Sequence, residues 1–307
     1  MSRPDSGEVT DSFLHGWPLP EPGSDKESKG RALVVGGTRL TPGAVLLAAE
    51  AALRVGAGKV QVVTVESVAT QVAIALPEAL VVAAPETDAG ELAPEALEVI
   101  LRPARSVDAI LLGPGLMDIG TSTLMAQVLQ ALSEDEDEGK DEGGGEVAVV
   151  LDALALALLG GDGRHTLEPF AGRCVLTPNE REVALALGVD EDEVPSDTAE
   201  AAALLARRTG AVVSSGGTTT WTVCPDGRRW SDPAGGPGLG TAGSGDVKAG
   251  LLLGLLARGV DPDQAACWAS HLHARAGERL AARVGTVGFL ARELAGEVPA
   301  LLDELSR

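Results

Sequence analysis

"RALVVGGTRLTPGAVLLAAEAALRVGAGKVQVVTV", residues 31–65, carries three patterns in succession. "ALVVGG" (32–37) is a short apolar run closed by two glycines, which reads as a buried strand. "TPGAVLLAAEAALRVGAG" (41–58) reads as a helix, because Pro42 suits a first turn and Gly56 and Gly58 suit an end. "KVQVVTV" (59–65) is the next strand. Strand, helix and strand in this span make a βαβ unit, whose two strands lie parallel.

The alternation continues outward. Residues 79–85, 109–115 and 147–156 read as strands, the second ending in Gly-Pro-Gly and the third carrying Asp152. Residues 94–104, 121–133 and 198–210 read as helices. "RCVLTPNEREVALALG" (173–188) is a strand, a turn at Pro178 and a helix, and residues 211–230 are strands around a Pro-Asp-Gly turn. Ala-rich helices fill the C-terminus. This predicts an α/β domain over 31–307, with a mainly parallel central sheet between two helical layers. Residues 1–30 read as an irregular arm, with prolines at 18, 20 and 22 and no period. "EDEDEGKDEGGGE" (134–146) reads as a solvated loop inserted in the domain, since its like charges repel.

Composition narrows the function. Net charge is −21 over 307 residues and aromatics are 2%, with no tyrosine. Nucleic acid and anionic membrane are therefore poor partners. No run reaches the length of a membrane span, and the polar start lacks the apolar stretch of a signal peptide. Cys174, Cys224 and Cys267 are far apart, which suits buried thiols in a reducing cytoplasm.

The chemistry concentrates in "GLGTAGSGDVKAG" (238–250), directly before an apolar helix. A helix start exposes unpaired N–H groups, and glycine lets a phosphate approach them. The backbone of Ala242, Gly243, Ser244 and Gly245 could form an anion hole, with Asp246 as general base. Alternatively the loop is only flexible and Asp246 is a helix N-cap. Asn179 and Glu182, three apart, could hold water around Mg²⁺ or form a capping box, and the two readings are compatible. "SSGGTTT" (214–220) could cradle a nucleotide or be a plain hairpin turn. His271 and His273 do not share a helix face, so packing explains them better than metal binding.

Together these segments resemble a known family. "GTAGSGDVKAG" and "TPNERE" are similar to motifs of the ribokinase-like superfamily. Residues 30–64, "LLGPGL" (111–116), "VVLDALAL" (149–156), residues 235–259 and "WASHLHARAGERLA" resemble the ADP-dependent NAD(P)H-hydrate dehydratases more narrowly. The resemblance implies a ribokinase-like fold and repair of NADH or NADPH hydrate, driven by ADP or ATP with Mg²⁺. It implies that Ala44, Gly115, Asn179 and Asp246 touch the hydrate. Ser215, Gly216, Gly217, Thr218, Thr219 and Gly245 would touch the nucleotide. Glu182 would organise Mg²⁺ through water, with Asn179 as a second candidate. Members of the family commonly form symmetric assemblies, which makes a homo-oligomer a candidate. The epimerase domain fused to some of them is not expected in this sequence, because the N-terminal arm is far too short for it. The chain departs from many members in having Leu40 and Thr41 in the turn after the first strand, and Ser215-Gly216 where they have Lys-Gly. Rival readings are a sugar or vitamin-precursor kinase of the same fold and a nucleotide-binding protein without catalysis.

Overall fold

The computed structural model describes residues 4–21, 23–137, 146–160 and 163–307. The chain begins with strand β1 (Gly7–Glu8) and helix α1 (Asp11–His15). The βαβ unit follows as β2 (Arg31–Val35), α2 (Gly43–Arg54) and β3 (Lys59–Val65). Then come α3 (Glu66–Ala75), β4 (Leu80–Ala84), α4 (Leu97–Ala104), β5 (Ala109–Leu112), α5 (Thr121–Asp137) and β6 (Ala148–Leu151). The second half holds β7 (Cys174–Leu176), α6 (Glu180–Leu187), α7 (Thr198–Thr209), β8 (Val212–Gly216), β9 (Thr220–Val223) and β10 (Arg229–Asp232). Helices α8 (Ser244–Ala257), α9 (Pro262–Arg283) and α10 (Ala291–Leu305) close the chain.

One ten-stranded sheet has the order β1-β10-β9-β8-β7-β6-β5-β2-β3-β4. From β8 to β4 every pairing is parallel, and β9 runs against its neighbours. The strands of this parallel block are near-continuous Val, Leu and Ala, as burial on both faces requires. The chain steps one way from β2 to β4, then returns to β5 and steps the other way. Right-handed crossovers therefore place α2 and α3 on one face and α4 to α7 on the other. The order reverses between β2 and β5, where the loops after the two strands part and leave a crevice.

Helix α8 lies directly against α2, and both pack on α10. A Cβ at Gly250 would collide with the Ala48 carbonyl, and one at Gly254 would sit 2.7 Å from that of Ala52. The two glycines, one turn apart, let the backbones meet and carry the start of α8 to the crevice.

Three expectations need correction. The arm is not irregular throughout. β1 pairs with β10, Thr10 caps α1, and Trp17 packs on Trp230 at 5.6 Å. Val9, Leu14 and Trp17 are buried, so a few apolar anchors dock a segment too short to show a period. The expected strand at 147–156 ends at Leu151, and Ala153–Leu159 is a 3₁₀ helix. The expected acidic loop begins late, because α5 runs on to Asp137. Gln130 donates to Glu134 and Arg105 pairs with Asp135 at 2.6 Å, which holds that last turn. The rest of the tract, 138–145, lies outside the described residues.

Candidate functional site

Five neighbouring strands, β2, β5, β6, β7 and β8, deliver their C-terminal ends to one region, and α8 starts above it. At that start Gly243 is the N-cap, in the left-handed conformation (φ 87). A Cβ there would press on Leu47 of α2. The amides of Ala242, Gly243 and Gly245 meet no protein acceptor among the described residues. Ser244 departs from the expected anion hole, because its N–H donates to the Thr241 carbonyl at 3.2 Å. That bond closes the turn which leaves its neighbours open. Space is free above Gly245, where an added Cβ would meet nothing within 4 Å.

Asp246 lies in the first turn of α8 and is not its N-cap. Its carboxyl group is half-buried and has no hydrogen-bond partner among the described residues. Burial, then the nearby charges of Asp152 and Glu182, push its pKa up to about 7. Such a carboxylate is poised to accept a proton near neutral pH.

Asp152 follows β6 and is buried. Burial raises its pKa, opposed by the Thr177 hydroxyl, which donates to Oδ1 at 2.6 Å, and by Lys248. The next residue, Ala153, has φ 50, the one positive φ outside glycine among the described residues. That conformation costs roughly 1–2 kcal/mol, and the Ala153 backbone also works against the rise of the Asp152 pKa. Asn179 caps α6, accepting from the Arg181 and Glu182 amides at 3.0 Å, while Glu182 Oε2 accepts from the Asn179 N–H at 2.9 Å. The capping box is thus formed. Burial raises the Glu182 pKa, and Asp152 adds to the shift.

Ser215, Gly216, Gly217, Thr218 and Thr219 run from the end of β8 into a hairpin turn, with Ser215 paired to Trp221 and Gly216 to Thr220. The turn meets the start of α6, where a Cβ on Gly217 would lie 3.1 Å from Glu180. Ser215 Oγ is buried and unpartnered. Ala44 and Gly115 meet at the β2/β5 crevice, a Cβ on Gly115 falling 2.8 Å from that of Ala44. The Thr41 hydroxyl donates to the Gly115 carbonyl at 2.6 Å, tying the two loops together. Leu47, one turn beyond Ala44, links this pair to Gly243. The residues singled out in the sequence therefore surround one region.

Among the described residues no group of three His, Cys, Asp or Glu side chains could hold a metal by itself. Three carboxyl groups whose pKa values burial raises fit a hydrated cation that also binds substrate phosphates.

A family model described as NAD(P)H-hydrate dehydratase matches residues 32–300. The chain belongs to the NAD(P)H-hydrate dehydratase family. It is 42% identical to an ADP-dependent (S)-NAD(P)H-hydrate dehydratase of Xanthomonas campestris, over the full length of both chains. It is 36% identical to a bifunctional NAD(P)H-hydrate repair enzyme of Moorella thermoacetica, matching 94% of this chain and 52% of that longer relative. A Bacillus subtilis ADP/ATP-dependent NAD(P)H-hydrate dehydratase, co-crystallized with ATP/Mg²⁺, superposes with a TM-score of 0.77. That pair is 27% identical and covers 98% of this chain and 99% of the other. The fold is ribokinase-like.

Sequence reasoning missed several groups at this dehydratase site. Asp152 and Lys248 stood in quoted stretches without a role, although an acid closing an apolar strand is a usable signal. Thr177 gave none. His273, expected to pack, bonds Ser244 Oγ at 2.8 Å. Burial, then the Lys248 charge, pushes its pKa down to about 3, so its imidazole is neutral.

Proposed function

We propose that this chain restores NADH and NADPH from their hydrates, using ADP or ATP. The observation that carries the reading is Asp246, a half-buried carboxyl group with no hydrogen-bond partner, beside open amides at a helix start. In this reading Asp246 takes the proton of the hydrate hydroxyl, whose oxygen attacks the terminal phosphorus of the nucleotide. The bond from that phosphorus to the bridging oxygen breaks, and the nucleotide leaves one phosphate shorter. The amides of Ala242, Gly243 and Gly245 face the negative charge of the moving phosphoryl group. The ring nitrogen's lone pair then expels phosphate from carbon, and loss of a proton from the adjacent carbon restores the double bond. Ala44, Gly115 and Asn179 would hold the hydrate, and the 215–219 hairpin with Gly245 the nucleotide. Mg²⁺, held through water by Glu182, would screen the phosphates.

Purified protein with hydrated NADH should regain the near-ultraviolet absorbance of the reduced nicotinamide only with ADP or ATP and Mg²⁺. Recovery without nucleotide, or a stable phosphorylated product without released phosphate, would overturn the reading; the second outcome favours a kinase.

The buried free thiols suit action in the cytoplasm, and among the described residues no helix is long and apolar enough to cross a membrane. The charge of −21 argues against a nucleic-acid partner. The free edge at β4, with Leu80 and Ile74 exposed, supports a homo-oligomer.

A further inference from the structure

We propose that Lys248 binds the phosphates of the nucleotide, its ammonium group standing between the open space above Gly245 and the end of β8. The inference rests on the proposed function and deepens it.

Lys248 lies three residues after Gly245 on α8, so the two share a helix face. Helical side chains lean toward the N-terminus, so Lys248 covers the turn that contains Gly245. The ammonium group donates to the Ser214 carbonyl at 3.3 Å, a long bond. An ammonium group has three hydrogens, and among the described residues the remaining two have no acceptor. The neighbouring Ser215 hydroxyl is buried and also without a partner. Two polar groups at the end of β8 thus keep hydrogen-bonding capacity that the described residues do not use.

Charge gives the reason for an anion there. Asp152, Glu182 and Asp246 repel one another, and Lys248 is the cation whose charge reaches Asp152 and Glu182. A polyphosphate entering beside three carboxyl groups, in a chain of net charge −21, needs a local positive charge. Lys248 bonds the end of β8, where the hairpin begins, and its charge reaches the acidic group.

The test is equilibrium calorimetry of ADP, ATP and adenosine with wild type, Lys248→Met, Lys248→Gln and Lys248→Arg, at fixed Mg²⁺. Lys248→Met should weaken ADP and ATP about 10–100-fold and leave adenosine unchanged. Lys248→Gln keeps a donor for Ser214 and removes the charge, and should lose as much. Lys248→Arg should recover most of the affinity. Unchanged ADP and ATP binding in the Met and Gln variants would sink this inference alone. An equal loss for adenosine would also overturn it, because that is the mark of a structural role. A wild type that binds no adenine nucleotide would defeat the proposed function as well.

Discussion

Asp246 works, in our reading, because its surroundings leave its proton loosely committed. Burial and two neighbouring acids hold the pKa at about 7, and no donor offsets them. Replacing it by Asn keeps shape and removes the base. Asp246→Asn should lower turnover by roughly 10²–10⁴-fold, with ADP affinity in calorimetry kept. The base must be ionised to act, so kcat/KM for the hydrate should fall as pH drops below about 7 and level off above it. Asp152 contributes part of the upward shift. Asp152→Asn should therefore move this limb of the pH profile to lower pH, and a limb that stays in place would show that the charge of Asp152 is not felt.

At the scale of elements, the contact between α2 and α8 brings the two sides of the site together. Gly250→Ala would set a methyl group against the Ala48 carbonyl, backbone that cannot step aside. It should cost about 1–3 kcal/mol, read as a lower urea midpoint at unchanged slope. Strand β3 (Lys59–Val65) was legible to the residue, because its run of β-branched residues begins directly after Gly58. Asn179 and Glu182 were legible too, since three-residue spacing is a local geometric fact. Helix α3 gave no start signal, as Val65 at its N-cap offers no side-chain acceptor. The 3₁₀ helix after β6 was misread because Ala and Leu suit either state, and the break depends on the strained turn at Ala153. The roles of Asp152 and Lys248 escaped for a further reason. Their relation spans nearly a hundred residues, and only the parallel sheet brings them together.

At the scale of the molecule, the N-terminal arm is fastened by an ion cluster. His271 lies between Asp232 (3.1 Å) and Asp11 (2.8 Å), with Arg275 3.5 Å from Asp11. Burial opposes charge on His271, but the two aspartates outweigh it and raise its pKa above 6.5. Its contribution to stability is thus full below 6.5 and fades as pH rises through the folded value. The His271 hydrogen bond lowers the Asp11 pKa below 3.8, so that contribution is present above 3.8 and lost as pH falls. Asp11→Asn should therefore destabilise most at about pH 5–6 and least near pH 9 in urea titrations. An equal effect at both would show that the imidazole is not charged there. The same end of the molecule has an optical consequence. The chain has four tryptophans and no tyrosine, so its intrinsic fluorescence comes from indole alone. Trp17 stacks on Trp230, and its carbonyl accepts from the Trp268 indole N–H, so three emitters report whether the first residues are seated. Trp221 faces Ser215 across the hairpin and is the remaining one. A colour change on adding ADP would come from Trp221, and detachment of the arm would dim or redden the other three.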